Sequence, residues 1–233
     1  MKIIGIIGAM EEEIAVFRPK MKSVTVKTTA GMEFISGELF GRSVVLVRCG
    51  IGKVNAALCV QALYDIYNVD FVINTGVAGA LDPELGICDV VISKDLVQHD
   101  FDATKFGYAS GEVPRLGIRF FPADTGLVNL ALKACAEKAA GRKAKSGRIA
   151  SGDLFVSKKK DKDRILNDFG ASCVEMEGAA IGHACYLNNI PFVVIRAISD
   201  TAAEEAGQEF AKNVKIAALQ SCDIVEAMLG DIT

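Results

Sequence analysis

The chain has 233 residues, of which 51% are apolar and only 7% aromatic, with a formal net charge of -3. That balance excludes a duplex-binding surface, which needs a basic excess. With no apolar run of about 18 residues, no membrane span is expected either. The seven cysteines are scattered and form no CxxC pair, so neither a disulfide framework nor a zinc site is expected. Reduced cysteines serving as small apolar residues fit a cytoplasmic protein. Two histidines, His99 and His183, are too few for a His-rich metal site.

Lys2–Gly8 (KIIGIIG) reads as a continuous apolar strand. It lacks the cleavage region of a signal peptide and runs straight into acids. A short helix is expected over Glu11–Pro19, then strands over Ser23–Thr29, Met32–Leu39 and Ser43–Arg48 separated by Ala30-Gly31 and Phe40-Gly41 turns. Lys53–Asn68 has helical periodicity. Phe71–Asn74 reads as a buried strand that breaks into Thr75-Gly76-Val77-Ala78-Gly79, and Cys88–Ser93 as another strand. The aperiodic, aromatic-bearing stretch 98–121 reads as a functional loop or part of an interface. Beyond it the pattern predicts a helix over Asp124–Ala140, a strand over Ser146–Ser151 and a charged helix over Ser157–Asn167. A short strand Cys173-Val174, a helix Met176–Asn188, a strand Phe192–Ser199 and a helix Gln208–Leu229 complete the chain. With no linker, repeat or low-complexity segment, residues 1–233 read as one α/β domain: a central mixed sheet or partial barrel surrounded by helices.

Acids punctuate the ends of these buried strands. Glu11-Glu12-Glu13 follows the first strand, Glu175 and Glu177 flank Met176, and Asp200 closes the last strand. Carboxylates almost never go fully inside unless something pairs with them. The first turn of a helix would accommodate one such acid through the dipole; three acidic strand ends point to one cleft. His183, in mid-helix, fits a structural role. Gly50-Ile51-Gly52-Lys53 is no Walker loop, because Val47 stands where the first glycine belongs and Val54 where Ser or Thr should hold magnesium. Gly5-Ile6-Ile7-Gly8 has the wrong spacing for a dinucleotide fingerprint, which removes an NAD-dependent oxidoreductase.

Seven segments carry a family resemblance: GIIGAMEEE (5–13), CGIGKVNAA (49–57), INTGVAGAL (73–81), HDFDATKFGY (99–108), SGDLFV (151–156), VEMEGAAIGHAC (174–185) and PFVVIRAISD (191–200). In this order and without large gaps, the chain resembles the 5′-methylthioadenosine/S-adenosylhomocysteine nucleosidases of the nucleoside phosphorylase superfamily. The resemblance implies a single α/β domain assembled as a homodimer. It also implies hydrolysis of the bond between adenine N9 and ribose C1′ of 5′-methylthioadenosine, S-adenosylhomocysteine or 5′-deoxyadenosine, in methionine salvage and the methyl cycle. Carried over by position, Glu13 would activate water and Asp200 would protonate adenine N7. Glu177 would hold the ribose hydroxyls, with Met176 against the sugar and Glu175 close by. Phe155 would stack on adenine and the backbone of Val156 would read its Watson–Crick edge. Val77, Ala78, Gly79 and Ser199 would complete the substrate wall, and Met10, Ile51 and Phe210 would line the 5′ pocket. Ala103, Phe106 and Pro114 would come from the partner chain to close it.

The chemistry suits those residue types. Adenine leaves badly as an anion, so an acid at N7 helps. Asp200 would have to hold its proton, which requires its pKa to rise by roughly three units from about 3.9, or about 4 kcal/mol. A carboxylate on the other face takes the proton of water and steadies the cationic sugar. No metal or organic cofactor is needed. The chain departs from the family at Val77, where many relatives carry a serine, and at Ala80, where they carry a glycine; valine forfeits any hydrogen bond that serine makes. A purine nucleoside phosphorylase is the runner-up. It is disfavoured because 73–77 holds no arginine and Glu13 would repel phosphate. An aminodeoxyfutalosine nucleosidase and a non-catalytic adenosine-binding module also stay open.

Overall fold

The computed structural model describes residues 2–138 and 141–232. The chain opens with β1 (Ile3–Gly8), the antiparallel run β2 (Lys22–Thr29), β3 (Met32–Leu39) and β4 (Arg42–Arg48), then α1 (Lys53–Ala62). The long strand β5 (Phe71–Ala80) follows, with β6 (Val90–Gln98), the two-residue β7 (Phe121–Pro122) and α2 (Thr125–Lys138). Next come β8 (Ala144–Ser151), α3 (Lys159–Phe169), β9 (Cys173–Glu175), α4 (Gly178–Leu187), β10 (Phe192–Asp200) and α5 (Ala206–Asp231). All ten strands belong to one mixed sheet. β5 pairs with β9 and also with β10, so the sequence β5–β10–β6–β8–β9 closes into a five-stranded barrel, while β1 to β4 extend from it as an open sheet.

Consecutive residues of a strand face opposite sides, and here each side finds its own helices. Ile73, Val193 and Ile195 pack with Val128 of α2 and Val214, Ala217 and Ala218 of α5. Their neighbours Val72 and Val194 pack with Ala56 and Cys59 of α1 and Ala179 and Ile181 of α4. This two-sided burial is why β5 and β10 read as unbroken apolar runs.

Five expectations need correction. The stretch Glu11–Pro19 is not one helix but tight single turns at Glu11–Glu13 and Arg18–Lys20. β5 does not break at Asn74; it continues to Ala80, because neither Gly76 nor Gly79 takes a positive φ. Those glycines are there for close approach by side chains from elsewhere in the fold, not for turning. β6 begins at Val90 rather than Cys88, whose φ of 67° is incompatible with a strand, and passes a bulge after Ser93 to reach Gln98. The helix expected from Met176 begins only at Gly178, so Met176 and Glu177 lie on the turn before it. The helix expected over Lys53–Asn68 is α-helical only to Ala62 and continues as a wider π turn over Leu63–Tyr67. The remaining boundaries agree within two or three residues; Ala139 and Ala140 of the expected 124–140 helix lie outside the described residues.

The interval 98–121 is largely irregular, with one tight turn at Thr104–Phe106. It is not only a surface segment. Phe121 is fully buried and stacks on His183 at 4.6 Å, and Gln98 hydrogen-bonds His183 Nδ1 at 3.2 Å, which is the structural role expected of that histidine.

Gly182 fixes how closely α4 can approach the barrel. A Cβ there would stand 2.5 Å from Leu96 Cδ1 and 3.0 Å from Phe192 Cζ, both buried. Glycine to alanine in a helix normally stabilises by about 0.5–1 kcal/mol, but overpacking costs about 1–3 kcal/mol. Gly182→Ala is therefore expected to lower unfolding free energy by about 1–2 kcal/mol, measured by urea denaturation; a stabilised variant would contradict this packing.

Candidate active site

One cavity of about 390 Å³ opens where β5, β9 and β10 run out beside the turn that follows β1. It gathers residues far apart in sequence. Met10, Glu13 and Ile51 come from the N-terminal part, Val77, Ala78 and Gly79 from β5, and Phe155 and Val156 from the segment after β8. Glu175, Met176 and Glu177 enter from β9 and the following turn, Ser199 and Asp200 from the end of β10, and Phe210 from α5. Ala9, Leu154 and Val174 complete the wall and were not foreseen. Ala103, Phe106 and Pro114 do not line it in this chain; Phe106 is 84% exposed.

The acids in the wall are held by a buried cation that sequence reasoning passed over. Arg196, in the middle of β10, forms an ion pair with Glu175 whose side chains are 2% and 3% exposed. Its Nη2 also donates to Asn74 Oδ1 at 2.6 Å, and Asn74 in turn donates to the Ile7 carbonyl at 2.9 Å. Glu175 accepts further hydrogen bonds from Ser151 Oγ and from the Glu177 and Gly178 N–H groups at 3.2 and 2.8 Å. Ser151 Oγ accepts from the Ala179 N–H at 2.7 Å. Thus Glu175 and Ser151 satisfy the free amides that begin α4, where the helix dipole favours negative charge. Glu175 is the scaffold and Glu177, two residues on, is the acid left to face the cavity. The signal for Arg196 was present: buried acids require a cation, and this arginine interrupts an otherwise apolar strand.

Each remaining carboxyl has its own environment. Glu13 is buried; its Oε2 accepts from the Ala9 and Met10 N–H groups at 2.7 and 2.9 Å, and Oε1 from the Val77 N–H at 3.1 Å. Burial pushes its pKa up, against the pull of Arg196 and these three amides. The backbone of Val77 thus anchors Glu13 whatever its side chain; the hydrogen bond that a serine would add is absent. A Cβ on Gly76 would stand 2.5 Å from Glu13 Oε1 and 3.0 Å from Arg196 Nη1, so only glycine admits both groups. Asp200 is likewise raised by burial, while the Ala202 N–H and Ser199 Oγ, both at 2.9 Å, favour its charged form. Gly79 makes room for it, since a Cβ there would meet Asp200 Oδ1 at 2.7 Å. Glu177 is pushed up to about 8, chiefly by burial and then by the charge of Glu175, despite a 2.7 Å hydrogen bond from the Gly52 N–H.

The next amide along belongs to a different part of the wall. The Lys53 N–H donates to Asp153 Oδ1 at 2.8 Å, and Lys53 Nζ pairs with Asp100 Oδ1 at 2.6 Å. The other Asp100 oxygen accepts from the Asp153 N–H at 2.9 Å. This clasp fixes the segment carrying Phe155, half exposed with its ring edge-on to Phe210 at 5.8 Å, and the buried Val156. Among the described residues no group of three or more His, Cys, Asp or Glu side chains is placed to hold a metal ion.

Residues 3–230 match the model of the phosphorylase superfamily. The chain is 46% identical to the 5′-methylthioadenosine/S-adenosylhomocysteine nucleosidase of Geobacillus kaustophilus, over 97% of this chain and 96% of that protein. A crystal structure of the Neisseria meningitidis nucleosidase in complex with methylthio-immucillin-A superposes with a TM-score of 0.96 at 39% identity, covering 100% of both chains. Helicobacter pylori futalosine hydrolase superposes with a TM-score of 0.94 at 33% identity, over 99% of this chain and 98% of that one.

Glu177 predicts a pH dependence of stability. Its folded pKa of about 8 lies above its ordinary value of 4.5, so the folded state holds a proton that the unfolded state has lost. The resulting stability is fully present below about pH 4.5 and is lost as pH rises through 8. The unliganded Glu177→Gln variant should lose stability less steeply across that interval, read from thermal unfolding against pH; an unchanged slope would remove Glu177 as the cause.

Proposed function

Because the chain belongs to the phosphorylase superfamily and, within it, to the 5′-methylthioadenosine/S-adenosylhomocysteine nucleosidases, we infer that it hydrolyses the N-glycosidic bond of these two nucleosides, releasing adenine and the 5-substituted ribose. The observation that carries this reading is that Glu13, Glu177 and Asp200 meet in one apolar-walled cavity. Bond breaking places positive charge on the sugar and negative charge on the base. Burial raises the Asp200 pKa, which favours the protonated form that can donate to N7. Ser199 and the Ala202 amide then stabilise the carboxylate left behind. Glu13 takes the proton of the attacking water. Its three amide donors fix its orientation while Arg196 offsets its charge. Glu177 holds the ribose hydroxyls between these two groups. Phe155 stacks on adenine, the Val156 backbone reads its edge, and Met10, Ile51 and Phe210 receive the 5′ substituent.

Water is preferred to phosphate as nucleophile. The strand segment 73–77 holds no arginine, yet β10 brings Arg196 beside Asn74, so a cation is nearby after all. That cation is already committed to Glu175, Asn74 and the Ile195 carbonyl, leaving little to offer a dianion. Wild-type protein should release adenine in phosphate-free buffer; strict phosphate dependence would overturn hydrolysis. Glu13→Gln and Asp200→Asn should each lower kcat by about 10²–10⁴-fold while still binding nucleoside. Full turnover in both variants would overturn the assignment.

A homodimer in the cytoplasm is the proposed working form. Phe106, Ile51, Val54 and Leu58 expose 84%, 54%, 70% and 49% of their surfaces, an unusual display for apolar side chains. In the dimer, Ala103, Phe106 and Pro114 of a second copy close the 5′ pocket. The seven free, buried cysteines suit a reducing compartment. Phe106→Asp should give a monomer in light scattering and raise KM; a stable dimer with unchanged KM would remove this residue from the interface.

A further inference from the structure

Of the acidic run 11–13, only Glu13 turns into the catalytic cavity; Glu11 and Glu12 face outward. They line a second, more open cavity of about 460 Å³ with Arg48 and Gly50, and it shares Ala9, Met10 and Ile51 with the first. The two spaces are therefore separated by the same side chains that would receive the 5′ substituent. Arg48 is brought here by sheet register: it ends β4 opposite Gly8, the last residue of β1, so its neighbours are the turn residues after that strand. It lies 3.6 Å from Glu11 in a loose pair, with 59% and 57% of the two side chains exposed.

We propose that this second cavity is a subsite for the α-amino-acid end of a long 5′-thio substituent, with Arg48 taking the carboxylate and Glu11 or Glu12 the ammonium group. The proposal rests on the nucleosidase reading and adds a recognition element to it. A tail that left the first cavity past Met10 and Ile51 would enter a space bearing both signs of charge. A purely anionic end would meet two glutamates, and a purely cationic end would meet the arginine. A zwitterion replaces the loose Arg48–Glu11 pair with two complementary contacts, one of them a guanidinium–carboxylate pair suited to two parallel hydrogen bonds. Solvent exposure keeps the gain modest, so the subsite favours long substrates without excluding short ones.

The test compares kcat/KM for S-adenosylhomocysteine with that for 5′-methylthioadenosine, which lacks the tail, in wild type and in Arg48→Met. The ratio should fall about twofold to fivefold in the variant. Wild type should lose a similar factor on a substrate whose tail lacks only the carboxylate, and Arg48→Met should no longer distinguish that substrate from S-adenosylhomocysteine. Glu11→Gln/Glu12→Gln should mirror this on a tail lacking only the amine. An unchanged ratio in Arg48→Met, or a carboxylate-free tail used as well as the intact one by wild type, would overturn the subsite while leaving the nucleosidase reading intact. Failure of wild type to release adenine from either nucleoside would instead overturn that reading, and the subsite with it.

Discussion

The buried pair between Arg196 and Glu175 is the constraint around which the site is arranged. Four buried carboxyls, Glu13, Glu175, Glu177 and Asp200, line one apolar-walled cavity, and the Arg196 guanidinium is the counter-charge to the first three. Removing either member of such a pair typically costs about 3–5 kcal/mol, because the survivor stays buried and uncompensated. Here the consequence goes beyond stability. Arg196 lies close enough to Glu13 and Glu177 to pull both pKa values down, partly opposing burial. Asp200 is raised chiefly by burial too, but there the opposing pulls come from the Ala202 N–H, Ser199 Oγ and the charge of Lys162. The asymmetry lies in which neighbours oppose burial at each carboxyl, since burial raises both Glu13 and Asp200.

Glycine placement makes that asymmetry possible. Gly76 and Gly79 sit three residues apart on β5, one admitting Glu13 with Arg196 and the other admitting Asp200. A strand that would otherwise fill both spaces with side chains becomes a floor on which Glu13, Arg196 and Asp200 rest. β5 belongs to both the barrel and the open sheet, paired with β1, β9 and β10. Glu13 and Asp200 thus lie against a strand held by three others.

Much of this was legible in the residues. Apolar runs located the buried strands, and acids at their ends marked a common cleft because carboxylates are too costly to bury for no reason. The close matches to a known family put roles on individual positions, and Glu13, Glu177 and Asp200 do share one cavity. What was not legible depended on partners distant in sequence. Glycines in TGVAGA read as a turn because a turn is their commonest use; that they accommodate Glu13 and Asp200 requires knowing which strands are neighbours. Arg196 read as one residue of a strand until Glu175 and Asn74 were seen around it. Which of the three identical letters in 11–13 turns inward is likewise settled by partners, since the Ala9, Met10 and Val77 amides hold Glu13 while Glu11 and Glu12 stay exposed.

The consecutive amides of Gly52 and Lys53 hold, respectively, the acid beneath the sugar and the aspartate that anchors the segment under the base. The two N–H groups belong to adjacent peptide planes hinged at the Gly52 Cα, whose φ of 98° is a conformation that only glycine adopts readily. A Cβ at that hinge would also stand 3.1 Å from Asp153 Oδ1. Any side chain at position 52 would therefore disturb both carboxylates together, although neither is its neighbour in sequence.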